Sequence, residues 1–200
     1  MIVITSPFAV ADEIKIIHSL FEEGLSLLHI RKPDFSELEM AQFIHPIKME
    51  FRSKLVLHSH HLLAEDFGIN RIHLSEKERN KSQEFPARFP KPCRYNSTST
   101  HSIEDFNSLE SNFHYAFLSP VFKSISKENY HPKKDLFEEI KSRTNHKTKV
   151  VALGGITSEN IQETLEKGFD DVALLGSIWN NKNPLNQFKL CQQIAQSYSL

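Results

Sequence analysis

Two stretches near the end of the chain share one pattern: an apolar run closed by small residues. They are Val150-Val151-Ala152-Leu153-Gly154-Gly155-Ile156-Thr157 and Asp171-Val172-Ala173-Leu174-Leu175-Gly176-Ser177-Ile178. Glycines at the end of a buried strand let backbone N–H groups approach an oxyanion with no side chain in the way. A helix starting after Gly176-Ser177 would aim its positive end at the same point. Either turn alone reads as a tight turn and nothing more. Together they predict a phosphate site built from Gly154, Gly155, Gly176 and Ser177, and hence a small phosphate-bearing substrate.

The second chemical signal is histidine, of which the chain has 11. In a strand, Leu27, His29 and Arg31 share one face. An imidazole and a guanidinium near a strand end point to a site, the bland alternative being an Arg paired with a buried carboxylate. His58-Ser59-His60-His61 follows another apolar run. His58 and His60 would share a face, a spacing that some barrel hydrolases use for a divalent metal. No further ligands can be assigned, so the reading is one inward histidine, two exposed ones and no metal. His73 and Ser99-Thr100-His101 add polar groups at later strand ends. Residues 119–133 form a long loop rich in Ser, Lys and His, including Lys123, Ser124, Ser126 and Lys127. It is either an ordinary solvated loop or one that closes over an anion.

The elements that must carry these groups alternate from end to end. Strands are predicted at 2–5, 26–31, 54–58, 70–74, 93–97, 114–118, 149–153 and 171–175. Helices are predicted from Asp12 to Glu23, with Ile14, Ile17, Leu20 and Phe21 on one face and a stop at Gly24. A second begins at Ser36, where Glu39 fits a capping box, and carries Leu38, Ala41, Phe43 and Ile44. Others cover Ser102–Leu109, Lys134–Ser142, Ser158–Lys167 and Pro184–Ser197. Eight alternations without a compositional break favour a single (β/α)8 barrel domain over residues 1–200, with an open doubly wound sheet as the rival. In such a barrel the active site lies at the C-terminal rim, often with phosphate after strands seven and eight.

Composition narrows the classes further. A net charge of −1 gives no electrostatic reason to expect nucleic acid or an anionic membrane. No apolar stretch approaches membrane-spanning length, and the start lacks the pattern of a signal peptide. Cys93 and Cys191 match no metal or redox spacing, which suggests reduced thiols in a cytoplasmic protein. A homo-oligomer is compatible with all of this.

The order of segments resembles the thiamin phosphate synthase and TenI superfamily over nearly the whole chain. The residues that carry the resemblance are His29-Ile30-Arg31, Gly68 through Ile72-His73-Leu74, Ser99-Thr100-His101-Ser102-Ile103-Glu104, Ser119-Pro120-Val121-Phe122 with Ser124-Ile125-Ser126-Lys127, and the two glycine turns. It implies a (β/α)8 barrel that handles the thiazole phosphate half of thiamin. His58, Ser99, Ser124, Ser126 and Lys127 would then contact substrate, beside Arg31.

Two branches differ in chemistry. The synthase joins thiazole phosphate to a pyrimidine pyrophosphate and needs Mg²⁺ to neutralise the leaving group. Its pattern has Asn-Asp where this chain has His58-Ser59, and its second metal carboxylate aligns with Glu78. Its Gln-x-Arg-x-Lys becomes His29, Arg31 and Pro33, and Lys32 alternates to the other face. TenI proteins lack those groups too and aromatise a thiazole carboxylate phosphate by acid/base chemistry without metal. The histidine they use is Pro120 here. The resemblance therefore favours a TenI-like thiazole tautomerase needing no cofactor, with His29 as first proton carrier and His101 as second. Arg31 would hold the carboxylate through paired N–H donors. The alternatives are the Mg²⁺-dependent synthase and a silent barrel that binds thiazole or thiamin phosphate.

Overall fold

The computed structural model describes residues 1–80, 95–123 and 135–198. Eight parallel strands close into a barrel in sequential order. They are β1 (Ile2–Ile4), β2 (Leu27–Ile30), β3 (Leu55–Leu57), β4 (Arg71–Leu74), β5 (Tyr95–Thr100), β6 (Phe113–Leu118), β7 (Lys149–Ala152) and β8 (Asp171–Leu174). The helices are α1 (Glu13–Glu22), α2 (Glu37–Ile44), α3 (Leu63–Asp66), α4 (Glu76–Asn80), α5 (Ile103–Asn107), α6 (Leu136–Glu139), α7 (Ile161–Glu166), α8 (Gly176–Trp179) and α9 (Pro184–Ser197). The expected (β/α)8 barrel is therefore the fold, and the doubly wound sheet is not.

Strand alternation divides the side chains into two layers. Outward residues such as Val3, Leu28, Ile30, Leu55, Leu57, Ala116, Val150 and Val172 join Ile17, Leu20, Phe21, Met40, Ile44 and Phe188 of the helices in the main core. Inward residues split by side. Ile2, Ile4, Tyr115, Phe117, Val151 and Ala173 form an apolar half of the barrel interior. On β2 to β5 the inward positions instead carry His29, His73, Ser97 and Ser99, with His58 just past β3. This lopsided interior sets up the site.

Local signals account for most helix starts. Ser36 caps α2 by accepting from the Glu39 N–H, and the Glu39 carboxylate accepts from the Ser36 N–H at 2.7 Å, a complete capping box. The helix buries Met40 and Ile44 rather than Leu38, which is exposed. α1 ends at Gly24, whose φ of 91° suits glycine. Its buried stripe of Ile17, Leu20 and Phe21 includes one intruder, Glu13. β5 runs to Thr100, beyond its predicted end, because its polar residues are satisfied inside the sheet. Thr98 Oγ1 donates to Leu74 O at 2.8 Å and Thr100 Oγ1 to Phe117 O at 2.9 Å. At the seam, the Trp179 indole N–H donates to Ile4 O at 2.6 Å, tying α8 to β1.

Candidate active site

A cavity of about 840 Å³ opens at the C-terminal ends of the strands. Its walls bring together Arg31, His58, Ser99, His101, Gly154, Gly155 and Gly176 from the sequence reading. Ser124, Ser126 and Lys127 lie outside the described residues.

The glycine turn after β7 is shaped by close packing. Gly154 and Gly155 have φ of 100° and 67°. A Cβ on Gly154 would sit 2.9 Å from Pro120, and one on Gly155 would sit 2.6 Å from Phe122 Cβ and collide with the Lys123 carbonyl. The segment following β6 lies across this turn, with the Val121 N–H donating to Leu153 O and the Phe122 N–H to Gly154 O, both at 3.0 Å. Asn160 Nδ2 donates to Gly155 O at 3.0 Å from behind. After β8, Gly176 borders the cavity, and the Ser177 hydroxyl is buried without a hydrogen-bond partner among the described residues.

His29 is not where strand alternation alone put it. It does not border the cavity and has no exposed surface. Its Nε2 meets the Tyr115 hydroxyl at 2.6 Å and its Nδ1 meets His58 Nε2 at 2.8 Å. Side chains inside a barrel stack in layers, and His29 occupies the layer beneath Arg31. Its hydrogen bond to His58 and its ring contacts with His73 and Phe117 are what connect it to the cavity.

His58 and His73 form part of the cavity floor. The two Ser97 and Ser99 hydroxyls lie 2.9 Å from His73 Nδ1 and Nε2 respectively. Burial, reinforced by the neighbouring histidines and arginines, pushes His29 and His58 well below the ordinary imidazole range and His73 down to about 3. All three are neutral rings at neutral pH. His60 does not share the face of His58: its backbone is left-handed at φ 51°, and its Nε2 lies 2.8 Å from Phe35 O. His60 and His61 are half-buried rather than exposed.

His101 stands at the rim. Its Nδ1 is 2.9 Å from Ser119 O, which only accepts, so Nδ1 carries the hydrogen. Its Nε2 lies 3.8 Å from the Glu76 carboxylate. Glu76 and Glu78 both border the cavity beside it. Glu78 Oε2 accepts from the Ser75 N–H and hydroxyl at 2.8 and 2.6 Å, capping α4.

Lys32 lines the wall with its stem, but its ammonium is 1% exposed and spoken for. Nζ donates to both Glu13 oxygens, at 2.7 and 2.9 Å, and to Phe8 O at 3.2 Å. The buried carboxylate pair considered for Arg31 thus belongs to Lys32. Sequence reasoning missed Tyr115, Ser97 and Glu76 as partners of the site. Tyr115 and Ser97 carried a faint signal, as polar residues at inward strand positions.

The fold is a (β/α)8 barrel with a cavity at its C-terminal rim. The chain belongs to the thiamine monophosphate synthase family, whose model matches residues 1–178. It is 23% identical over 195 residues to a thiamine-phosphate synthase of Caldicellulosiruptor saccharolyticus, covering 94% of this chain and 86% of the relative. The crystal structure of a thiamine phosphate pyrophosphorylase from Bacteroides thetaiotaomicron superposes with a TM-score of 0.77 at 29% identity, covering 98% of this chain and 97% of that one. A thiamine phosphate pyrophosphorylase from Pyrococcus furiosus shares the fold, with a TM-score of 0.78 at 17% identity over 98% and 95% of the two chains. The family is thus the one expected. These relatives bear the name of the synthase branch, and the TenI branch is not singled out. Among the described residues, no helix is long and apolar enough to cross a membrane.

Proposed function

We propose that this chain is an enzyme of thiamin phosphate assembly that binds thiazole phosphate at the turns after β7 and β8 and couples it to a pyrimidine pyrophosphate. The observation that carries this reading is the mixed lining of one cavity. The glycine turns contribute Gly154, Gly155 and Gly176, and Arg31, Glu76 and Glu78 border the same space. Its volume of about 840 Å³ is towards the upper end of small-ligand pockets, which suits two substrates held together. The names of the relatives support the same reaction.

In that reaction the thiazole ring nitrogen attacks the pyrimidine methylene carbon while the carbon–oxygen bond to pyrophosphate breaks. Arg31 offers paired N–H donors to pyrophosphate oxygens. Ile4, Phe117 and Leu175 supply apolar walls for the rings. Glu76 and Glu78 provide the hard oxygen donors that suit Mg²⁺ and would hold it. Its contribution when bound is to offset the charge of the leaving pyrophosphate.

A second reading, metal-free tautomerisation of a thiazole carboxylate phosphate, is favoured by two observations. Ser59 occupies the position where the synthase pattern has a carboxylate. His101 presents its Nε2 at the rim, 3.8 Å from Glu76, which makes it a better placed proton carrier than the enclosed His29. The two readings separate in one assay of the purified chain. Coupling predicts thiamin phosphate formation that requires Mg²⁺ and falls at least tenfold in Glu76→Gln. Aromatisation in the presence of EDTA, lost in His101→Asn, would replace that assignment with the tautomerase; phosphate-dependent binding with neither reaction would leave a carrier.

A further inference from the structure

His29, His58 and His73 come from or just follow three successive strands, and one ring nitrogen of each lies within 4.8 Å of the others. We propose that these three imidazoles form a site for a divalent transition ion, zinc above all, in the floor of the cavity.

Register brings them together. Leu57 of β3 pairs with Ile72 of β4, so His58 and His73 fall on the next rung side by side. His29 pairs with Val56, the inward residue one step below His58. The ligand type sets the metal: imidazoles suit zinc, copper or nickel, whereas Mg²⁺ prefers the oxygens at the rim. The site is therefore distinct from the carboxylate pair and independent of which substrate reaction the cavity performs.

The surroundings resemble those that orient metal-binding histidines elsewhere. Tyr115 holds His29 Nε2 and leaves Nδ1 turned to His58 Nε2. Ser97 and Ser99 bracket His73, so either hydroxyl can hold one ring nitrogen while the other turns to an ion. The 2.8 Å hydrogen bond between His29 and His58 marks where the ion would enter. With zinc–nitrogen bonds of about 2.0–2.1 Å, tetrahedral ligand nitrogens lie roughly 3.3 Å apart. The two rings must part by about half an ångström, and His73 must draw in. Burial keeps all three rings in the neutral form that ligates. His58 and His73 border the cavity and His29 does not, so the open fourth position faces the cavity.

The test uses the full chain, stripped with EDTA and dialysed, with metal alone as probe. Calorimetry with ZnCl2 is expected to give one strong site per chain, and CoCl2 the visible absorption of a tetrahedral ion. His58→Asn and His73→Gln should each weaken zinc at least tenfold, while His146→Asn, on an exposed residue, should not. X-ray absorption of the zinc-loaded wild type reads the ligands without any variant and should show imidazole scattering. No stoichiometric binding by the folded chain, affinity unchanged in both cluster variants, or a shell without imidazole would each overturn the proposal.

Discussion

The rings of His58, just past β3, and His73, on β4, stack with centroids 4.1 Å apart and planes 22° from parallel. Two neutral imidazoles can pack that way; two imidazolium ions cannot without strong repulsion.

The first prediction concerns acid stability in metal-free buffer. The folded pKa values of His29, His58 and His73 all lie below the ordinary value of 6.5. The unfolded chain therefore binds more protons below pH 6.5, and stability present above that pH falls as pH drops towards the folded values. Each excess proton contributes a slope of about 1.4 kcal/mol per pH unit. Urea midpoints measured in EDTA from pH 7.5 to 5 should decline, and less steeply in His58→Asn. A flat profile would mean that the cluster is solvated rather than enclosed.

Ser177 tests the proposed phosphate turn. Among the described residues its buried hydroxyl has no hydrogen-bond partner, so Ser177→Ala should leave the ligand-free protein as stable or more stable. The same change should weaken thiazole phosphate about tenfold or more, since a hydrogen bond to a charged acceptor contributes about 1.5–3 kcal/mol. Calorimetric titration alongside thermal melts gives both quantities. A parallel loss of stability and no change in affinity would make the residue structural.

Gly155 and Gly68 share a φ of 67° but differ in surroundings. An alanine at Gly68 meets open space, whereas one at Gly155 meets Phe122 and the Lys123 carbonyl. Left-handed backbone alone costs about 1–2 kcal/mol for a residue with a Cβ, and overpacking adds about 1–3. Chemical denaturation should therefore place Gly155→Ala below Gly68→Ala by at least about 1 kcal/mol. Equal losses would show that the segment after β6 yields freely.

These contrasts mark where the sequence was readable. Alternation of apolar runs with amphipathic ones, and the endings Gly154-Gly155 and Gly176-Ser177, were enough for the barrel and for a hypothesis about phosphate. Alternation says which face a residue takes but not its height along the barrel axis. His29 and Arg31 share a face, yet only Arg31 borders the cavity. Height comes from the pairing of neighbouring strands, which single-strand patterns do not contain, so the meeting of His58 with His73 was invisible. The metal-like spacing of His58 and His60 failed for a local reason, the left-handed backbone at His60. Polar β5 read as shorter than it is because its threonines satisfy themselves on carbonyls of β4 and β6.

The Lys32–Glu13 pair should behave as a unit. Removing one member of an enclosed ion pair costs about 3–5 kcal/mol, whereas replacing both with apolar residues is often neutral. Lys32→Met should therefore destabilise strongly, and Lys32→Met with Glu13→Leu should recover most of the loss. Burial already raises the Glu13 pKa, and Lys32 is what opposes that rise. In Lys32→Met the carboxyl should take up a proton more readily, so the variant should be relatively most stable in acid and lose stability as pH rises. Urea midpoints for the wild type and the two variants at pH 4.5 and 7.5 check both claims.

Trp179 is the chain's single tryptophan. Its indole N–H is fastened to β1, and it closes the four-residue helix that begins at Gly176-Ser177. The barrel thus carries an intrinsic fluorophore within one short helix of the proposed phosphate turn. If that turn binds phosphate, its occupancy can be followed by emission from the unlabelled protein, against no background from any other indole.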